Sequence, residues 1–152
     1  MYDNRIYLRE GRAILRKYRD LVQRTDALHA EIEQLNADAY ALKGYSTDER
    51  VQCSPKTQDK IGESIAKIDT KAEQLMALYA ELIARKTEIM EHIYLVTDPT
   101  ERAVLIARYC QAKPWDEVAD ELNISLRWAH LLEVRGATEV GENLIEDAEK
   151  SA

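Results

Sequence analysis

The sequence predicts an all-α fold. A long antiparallel helical hairpin, coiled-coil-like, covers residues 1–97, and a C-terminal three-helix helix-turn-helix domain with an acidic tail covers 98–152. Three observations carry this. Apolar residues recur at alternating spacings of four and three through two long stretches, the signature of packed helices. The chain has only 5 Gly and 3 Pro in 152 residues, too few breakers for a loop-rich β fold. Caps and prolines then divide the last third into short helices.

The first helix is read from Ile14, Tyr18, Leu21, Thr25, Leu28, Ile32, Leu35, Ala39 and Leu42, with weaker continuation back through Tyr7 and Gly11. It is expected from about Asn4 to Leu42, with Gly44 as its stop. The stretch "GYSTDERVQCSP" has no period and reads as a loop. Ser54 reads as an N-cap and Pro55 as the first helical residue. The heptad then resumes through Ile61, Ile65, Ile68, Ala72, Leu75, Tyr79, Leu82, Ile89, Ile93 and Val96, and only Lys86 breaks it. This second helix is expected from Thr57 to Val96. Two helices of similar length joined by a short loop pack antiparallel, with Leu28, Ile32, Leu35, Leu75, Tyr79 and Leu82 at the hairpin or dimer seam. Leu78 and Ile83 lie beside that seam and call for a further apolar partner. A homodimer through the hairpin is therefore expected.

Asp98, Pro99 and Glu101 read as N-cap, first-turn proline and capping box. Val104, Leu105 and Tyr109 define a short helix ending near Cys110. "QAKP" makes a turn, and Pro114 opens a helix whose buried face is Trp115, Val118, Ala119 and Leu122. Asn123 and Ile124 form the next turn, where Asn tolerates left-handed backbone. Ser125 caps a third helix with Ala129 and Leu132 inward. A small residue, a turn, a cap and an inward pair at these spacings make a helix-turn-helix.

Charge and motifs narrow the function classes. The 21 bases against 28 acids leave a net charge of −7, which disfavours non-specific nucleic-acid binding. No apolar run reaches the ~20 residues of a membrane span, and "MYDNRIYLREGR" has no apolar signal core, so a cytoplasmic protein without membrane contact is expected. Cys53 and Cys110 are expected as reduced thiols. His29, His92 and His130 lie on different segments without metal-ligand spacing, and no phosphate-binding or nucleophile-elbow motif occurs. No catalytic residue, metal or cofactor is expected, and no enzyme.

"ERAVLIARYCQAKPWDEVADELNIS" resembles region four of bacterial sigma factors. The matching positions are Arg102, Leu105, Arg108, Tyr109, Trp115, Glu117, Val118, Ala119, Leu122, Ile124, Ser125 and Arg127. The whole layout also resembles small phage and prophage proteins of Gram-positive hosts, with a hairpin, a junction matched here by Cys53, Ser54, Pro55, Lys56 and Asp59, and a sigma-region-four-like end. That resemblance implies a phage transcription regulator in the cytoplasm of a bacterial host. Its partners would be double-stranded DNA and RNA polymerase.

On that geometry the groove-facing residues are Ser125, Leu126, Arg127, His130, Leu131 and Val134. Arg127 is the one suited to bidentate contact with guanine. Lys113 and Arg135 are candidate phosphate ligands. Residues 98–152 nevertheless hold twelve acids against six bases, so an isolated monomer is expected to bind DNA weakly. Glu133 departs from the family pattern by placing an acid on the third helix. A dimer or a complex with polymerase would supply the missing contacts. The alternative expectation is a phage-encoded interaction module that binds or inhibits a host protein, its helix-turn-helix not used for DNA.

Overall fold

The computed structural model describes residues 3–47 and 55–152. Cys53, the Ser54 cap, the connecting loop and the Leu42 side chain lie outside the described residues. Helix α1 spans Asn4–Thr47 and α2 spans Pro55–Tyr94. Helix α3, Pro99–Leu105, runs on into a π-helical turn, Ile106–Cys110. Helix α4 is Trp115–Glu121 and α5 is Leu126–Lys150. No strand occurs among the described residues. Helix α1 continues past Gly44, because a glycine inside a helix costs only about 1 kcal/mol and stops it only where a left-handed exit is adopted. No helix among the described residues is long and apolar enough to cross a membrane.

The chain groups into two compact units, each of which takes in part of α1. One unit is Arg24–Ala80, the other Met1–Gln23 with Glu81–Ala152. In Arg24–Ala80, Leu28, Ile32, Leu35 and Leu75 are half-buried, as their seam positions require. Lys71 Nζ meets Glu31 Oε1 at 2.6 Å, pairing α1 with α2. The inward face of α2 here includes Ser64, Lys71 and Leu78, whereas Ile65 and Tyr79 are exposed. Ile61, Ile68, Ala72 and Leu75 face inward as the heptad has them, and only at Ile65 and Tyr79 does the residue before, Ser64 or Leu78, take the covered position.

The larger unit holds the core. Leu15 and Tyr18 of α1, Ile89 and Ile93 of α2, Val96, Leu105, Tyr109, Ala137 and Val140 form one buried cluster, with Leu82 packed against it. Val104, Ala107, Val118 and Leu132 form a second, flanked by Trp115, Leu122 and Ile124. Asp98 caps α3 as its sequence suggests, accepting from the N–H of Thr100 at 2.7 Å. The chain leaves the π turn through Ala112 in the left-handed region, φ 52, and the Lys113 N–H returns to the Ala107 carbonyl at 3.1 Å. Asn123, φ 53, makes the turn into α5, closed by Ile124 N–H to the Ala119 carbonyl at 3.0 Å.

Helix α5 is longer than its first half suggests, and its second half is part of the fold. Ala137 and Val140, and Gly141 at the head of the acidic tail "GENLIEDAEKSA", lie on the core face. Gly11 and Gly141 sit where α1 and α5 cross. A Cβ on Gly11 would lie 1.9 Å from the Ala137 carbonyl oxygen, and one on Gly141 would lie 1.7 Å from that of Tyr7. Only hydrogen fits there, so the two backbones approach as closely as helices can.

Candidate nucleic-acid interface

Helices α4 and α5 meet at the Asn123 turn, and Ser125 starts α5 by accepting the Trp128 N–H at 3.1 Å. Ala129 and Leu132 face inward with 0% and 2% exposure. The opposite side of the first turns leaves Arg127 exposed together with Leu126, Leu131 and Val134. Arg127 makes no ion pair among the described residues. These four lie on one side of α5, as the sequence reading had them.

The other candidates are placed differently. His130 stacks on Trp115, ring centroids 4.1 Å apart, and Arg108 lies over the same indole at 4.7 Å. Arg108 also donates from Nη1 to the Lys113 carbonyl at 3.0 Å. The Lys113 ammonium is held by Glu121, so it must exchange that exposed acid for a phosphate before it can serve as a ligand. Arg135 folds over Trp128 at 5.5 Å, which leaves its charge in solvent.

Glu133 lies on α5, as the sequence has it, and off its exposed side. Its side chain is turned into the protein, 2% exposed. Arg12 of α1 donates Nε to Oε1 at 3.0 Å and Nη2 to Oε2 at 2.6 Å, and the Tyr109 hydroxyl donates to Oε1 at 2.6 Å. A carboxylate bonded three times by a bidentate guanidinium and a phenol is internally neutralised. It does not place a negative charge on the exposed side of α5. The signal for its partner was 121 residues upstream and carried no pattern linking it to Glu133. Nor did the sequence reading notice that Arg5, Arg9, Arg12 and Arg16 repeat at helical spacing beside the seam.

Burial around this network shifts its ionisable groups. The Tyr109 hydroxyl is pushed well above its ordinary range by burial, and further by its bond to the Glu133 carboxylate. Burial pushes the Cys110 thiol up to about 11. The folded chain therefore keeps protons that the unfolded chain releases, from about pH 8.5 for a thiol and about pH 10 for a phenol. Bound protons are then fewer in the unfolded state, and stability falls as pH rises. The urea midpoint is expected to drop steadily between pH 8 and pH 11, and Cys110→Ala to shallow the early part of that fall. A midpoint that stays level across this range would show these groups ionise freely in the fold.

Comparison with known proteins agrees with the phage setting and goes no further. No curated protein and no solved structure matches the chain. A family model described as protein of unknown function (DUF1492) matches residues 44–139, more than half the chain. The match takes in α2, the Asn123 turn and the first half of α5. The chain thus belongs to the DUF1492 family, a family found in phage proteins.

Proposed function

We propose that this protein is a phage or prophage transcription regulator that binds double-stranded DNA through a helix-turn-helix formed by α4 and α5, as a dimer or together with RNA polymerase. The observation that carries this reading is the first half of α5. Its inward residues are buried, its N-terminus is capped by Ser125, and Arg127 projects unpaired beside Leu126 and Leu131. In a docked recognition helix those first-turn side chains meet base edges. The inward turn of Glu133 takes one acid away from the exposed side of α5, and the other acids of residues 98–152 remain. A dimer is supported by Met76 (70% exposed) and Tyr79 (37%), neighbours at helical spacing on α2, since adjoining exposed apolar side chains are what an interface covers.

A second reading rests on the same helix. Leu126, Trp128, Leu131 and Val134 are each 36–44% exposed, an apolar cluster that also suits a protein partner. In that case the module binds or blocks a host protein and no DNA is read.

Selection from a random duplex library, with and without RNA polymerase, separates the two. Arg127→Ala is expected to cost ~1–3 kcal/mol at the selected site and to relax preference at one base pair. If neither arm enriches a site, or Arg127→Ala changes nothing in either, α5 is not a reader. Capture of a host protein that survives nuclease would then favour the second reading.

A further inference from the structure

The first turns of α1 carry a charge opposite to that of the whole protein. Residues 3–23 hold six cations (Arg5, Arg9, Arg12, Arg16, Lys17 and Arg19) against three acids (Asp3, Glu10 and Asp20). Arg5, Arg9, Arg12 and Arg16 are spaced by four, three and four residues, so they stand in one row along the helix. They line a shallow groove whose floor includes Leu8 and Ala13. At 1.5 Å per residue the row is about 16 Å long, the length of several consecutive phosphates on one strand.

Little inside the molecule neutralises this row. Arg12 alone is bound firmly, to Glu133. Arg9 has an exposed contact with its neighbour Glu10 at 3.3 Å, a kind of pair worth little. Arg5 and Arg16 are exposed and make no ion pair among the described residues. The Nε of Arg19 is buried without a hydrogen-bond partner. Burial lowers the pKa of the Arg108 guanidinium, and the nearby charges of Arg19 and Arg16 lower it further. Gathering more cations than acids is unfavourable in the free protein and is relieved when a polyanion lies against them.

We infer that the Arg5–Arg9–Arg16 row is the anchor for the phosphate backbone of duplex DNA, placed on α1 and not on the acidic C-terminal helices. This rests on the DNA-binding reading above. It also answers the charge deficit of residues 98–152, because α1 up to Gln23 and all of α5 belong to one compact unit. Two other anionic partners fit less well. A membrane surface requires apolar side chains beside the cations to enter the lipid, whereas Leu8 is packed against the core and Ala13 is small. Single strands are held by stacking on aromatic side chains, and none lines this groove.

The test uses the full-length triple variant Arg5→Gln, Arg9→Gln, Arg16→Gln, with Arg127→Ala and wild type beside it. Arg12 is left intact because Glu133 depends on it. Affinity for the selected duplex and for a random duplex is measured across a salt series. Each lost phosphate contact lowers the slope of log K against log salt by about 0.9. The triple variant is expected to lose about 2–3 from that slope and to weaken on both duplexes alike, with an unchanged melting temperature. The corresponding triple Arg→Lys variant is expected to keep the wild-type slope, since a point charge suffices for a phosphate. Arg127→Ala is expected to lose discrimination and keep most of the slope. A triple variant with the wild-type slope, beside an Arg127→Ala that loses discrimination, overturns the anchor and leaves the reading helix standing. A wild type that binds no duplex, with or without polymerase, overturns both. Binding to phosphatidylserine vesicles in place of duplex assigns the row to lipid and overturns the inference.

Discussion

Gly141→Ala is expected to destabilise the protein by about 3 kcal/mol or more. The added methyl would lie 1.7 Å from the Tyr7 carbonyl oxygen and 3.0 Å from the Gly11 nitrogen. Both are backbone atoms, so no rotamer change relieves the overlap. Helices α1 and α5 must separate, opening gaps around Leu15, Ala137 and Val140, which are all fully buried. Overpacking of this kind ordinarily costs 1–3 kcal/mol, roughly, and a backbone clash belongs at or beyond the upper end. Opposing it is the gain of about 1 kcal/mol from removing a glycine inside a helix. Gly11→Ala should behave alike, with its methyl 1.9 Å from the Ala137 oxygen. Gly62 supplies the contrast. It is also inside a helix, but nothing lies within 4 Å of its Cβ position, so Gly62→Ala should stabilise by about 0.5–1 kcal/mol. Urea unfolding of the three variants checks this. If Gly11→Ala and Gly141→Ala match Gly62→Ala in sign, α1 and α5 do not touch as described.

The two glycines also show where legibility in the sequence ends. The helices themselves were readable, because period and caps are local. The Ile14–Ala39 seam, the Asp98 and Ser125 caps, the Asn123 turn and the inward Val118, Ala129 and Leu132 all follow from residues within a few turns of one another. The crossing of α1 on α5 does not. It joins Gly11 to Gly141 and Arg12 to Glu133 across most of the chain, and a glycine in a helix announces a weak point as readily as a close contact. For the same reason "GENLIEDAEKSA" reads as a tail, since its acids are visible and the contact that buries Gly141 is not. On α2 the seam at Ile61, Ile68, Ala72 and Leu75 was legible, whereas the choice of Leu78 over Tyr79 for the hairpin side was not, because both satisfy the spacing between Leu75 and Leu82. Only packing chooses between them. At the candidate interface, the exposure of Arg127 and Leu131 was legible from helical geometry. The stacking of His130 on Trp115 and the pairing of Lys113 with Glu121 were not, since both depend on how α4 is set against its neighbours.

Removing the Glu133 carboxylate tests both the fold and the functional reading. Glu133→Ala takes the acceptor from Arg12 and from the Tyr109 hydroxyl, which lies in a 4% exposed residue. Breaking a fully buried pair by deleting one partner costs about 3–5 kcal/mol, and Glu133→Ala belongs at or below the lower end, because the Arg12 side chain it leaves is 28% exposed and can hydrate. Arg12→Ala should cost a similar amount, leaving the buried carboxylate with Tyr109 alone. The double variant should lose less than the sum, with a coupling of about 0.5–3 kcal/mol. Replacing both by apolar residues of similar size, Arg12→Met with Glu133→Leu, should recover much of the loss. Glu133→Gln is the decisive variant, since it keeps the shape and removes the charge. With the carboxylate inside, it should lower the urea midpoint, because Arg12 and the Tyr109 hydroxyl lose their charged acceptor. Were Glu133 an exposed acid on the outer side of α5, the same change would leave the urea midpoint where it is. That outcome would put a negative charge beside Arg127 on the exposed side of α5, where it would oppose the phosphate backbone that the regulator reading brings there.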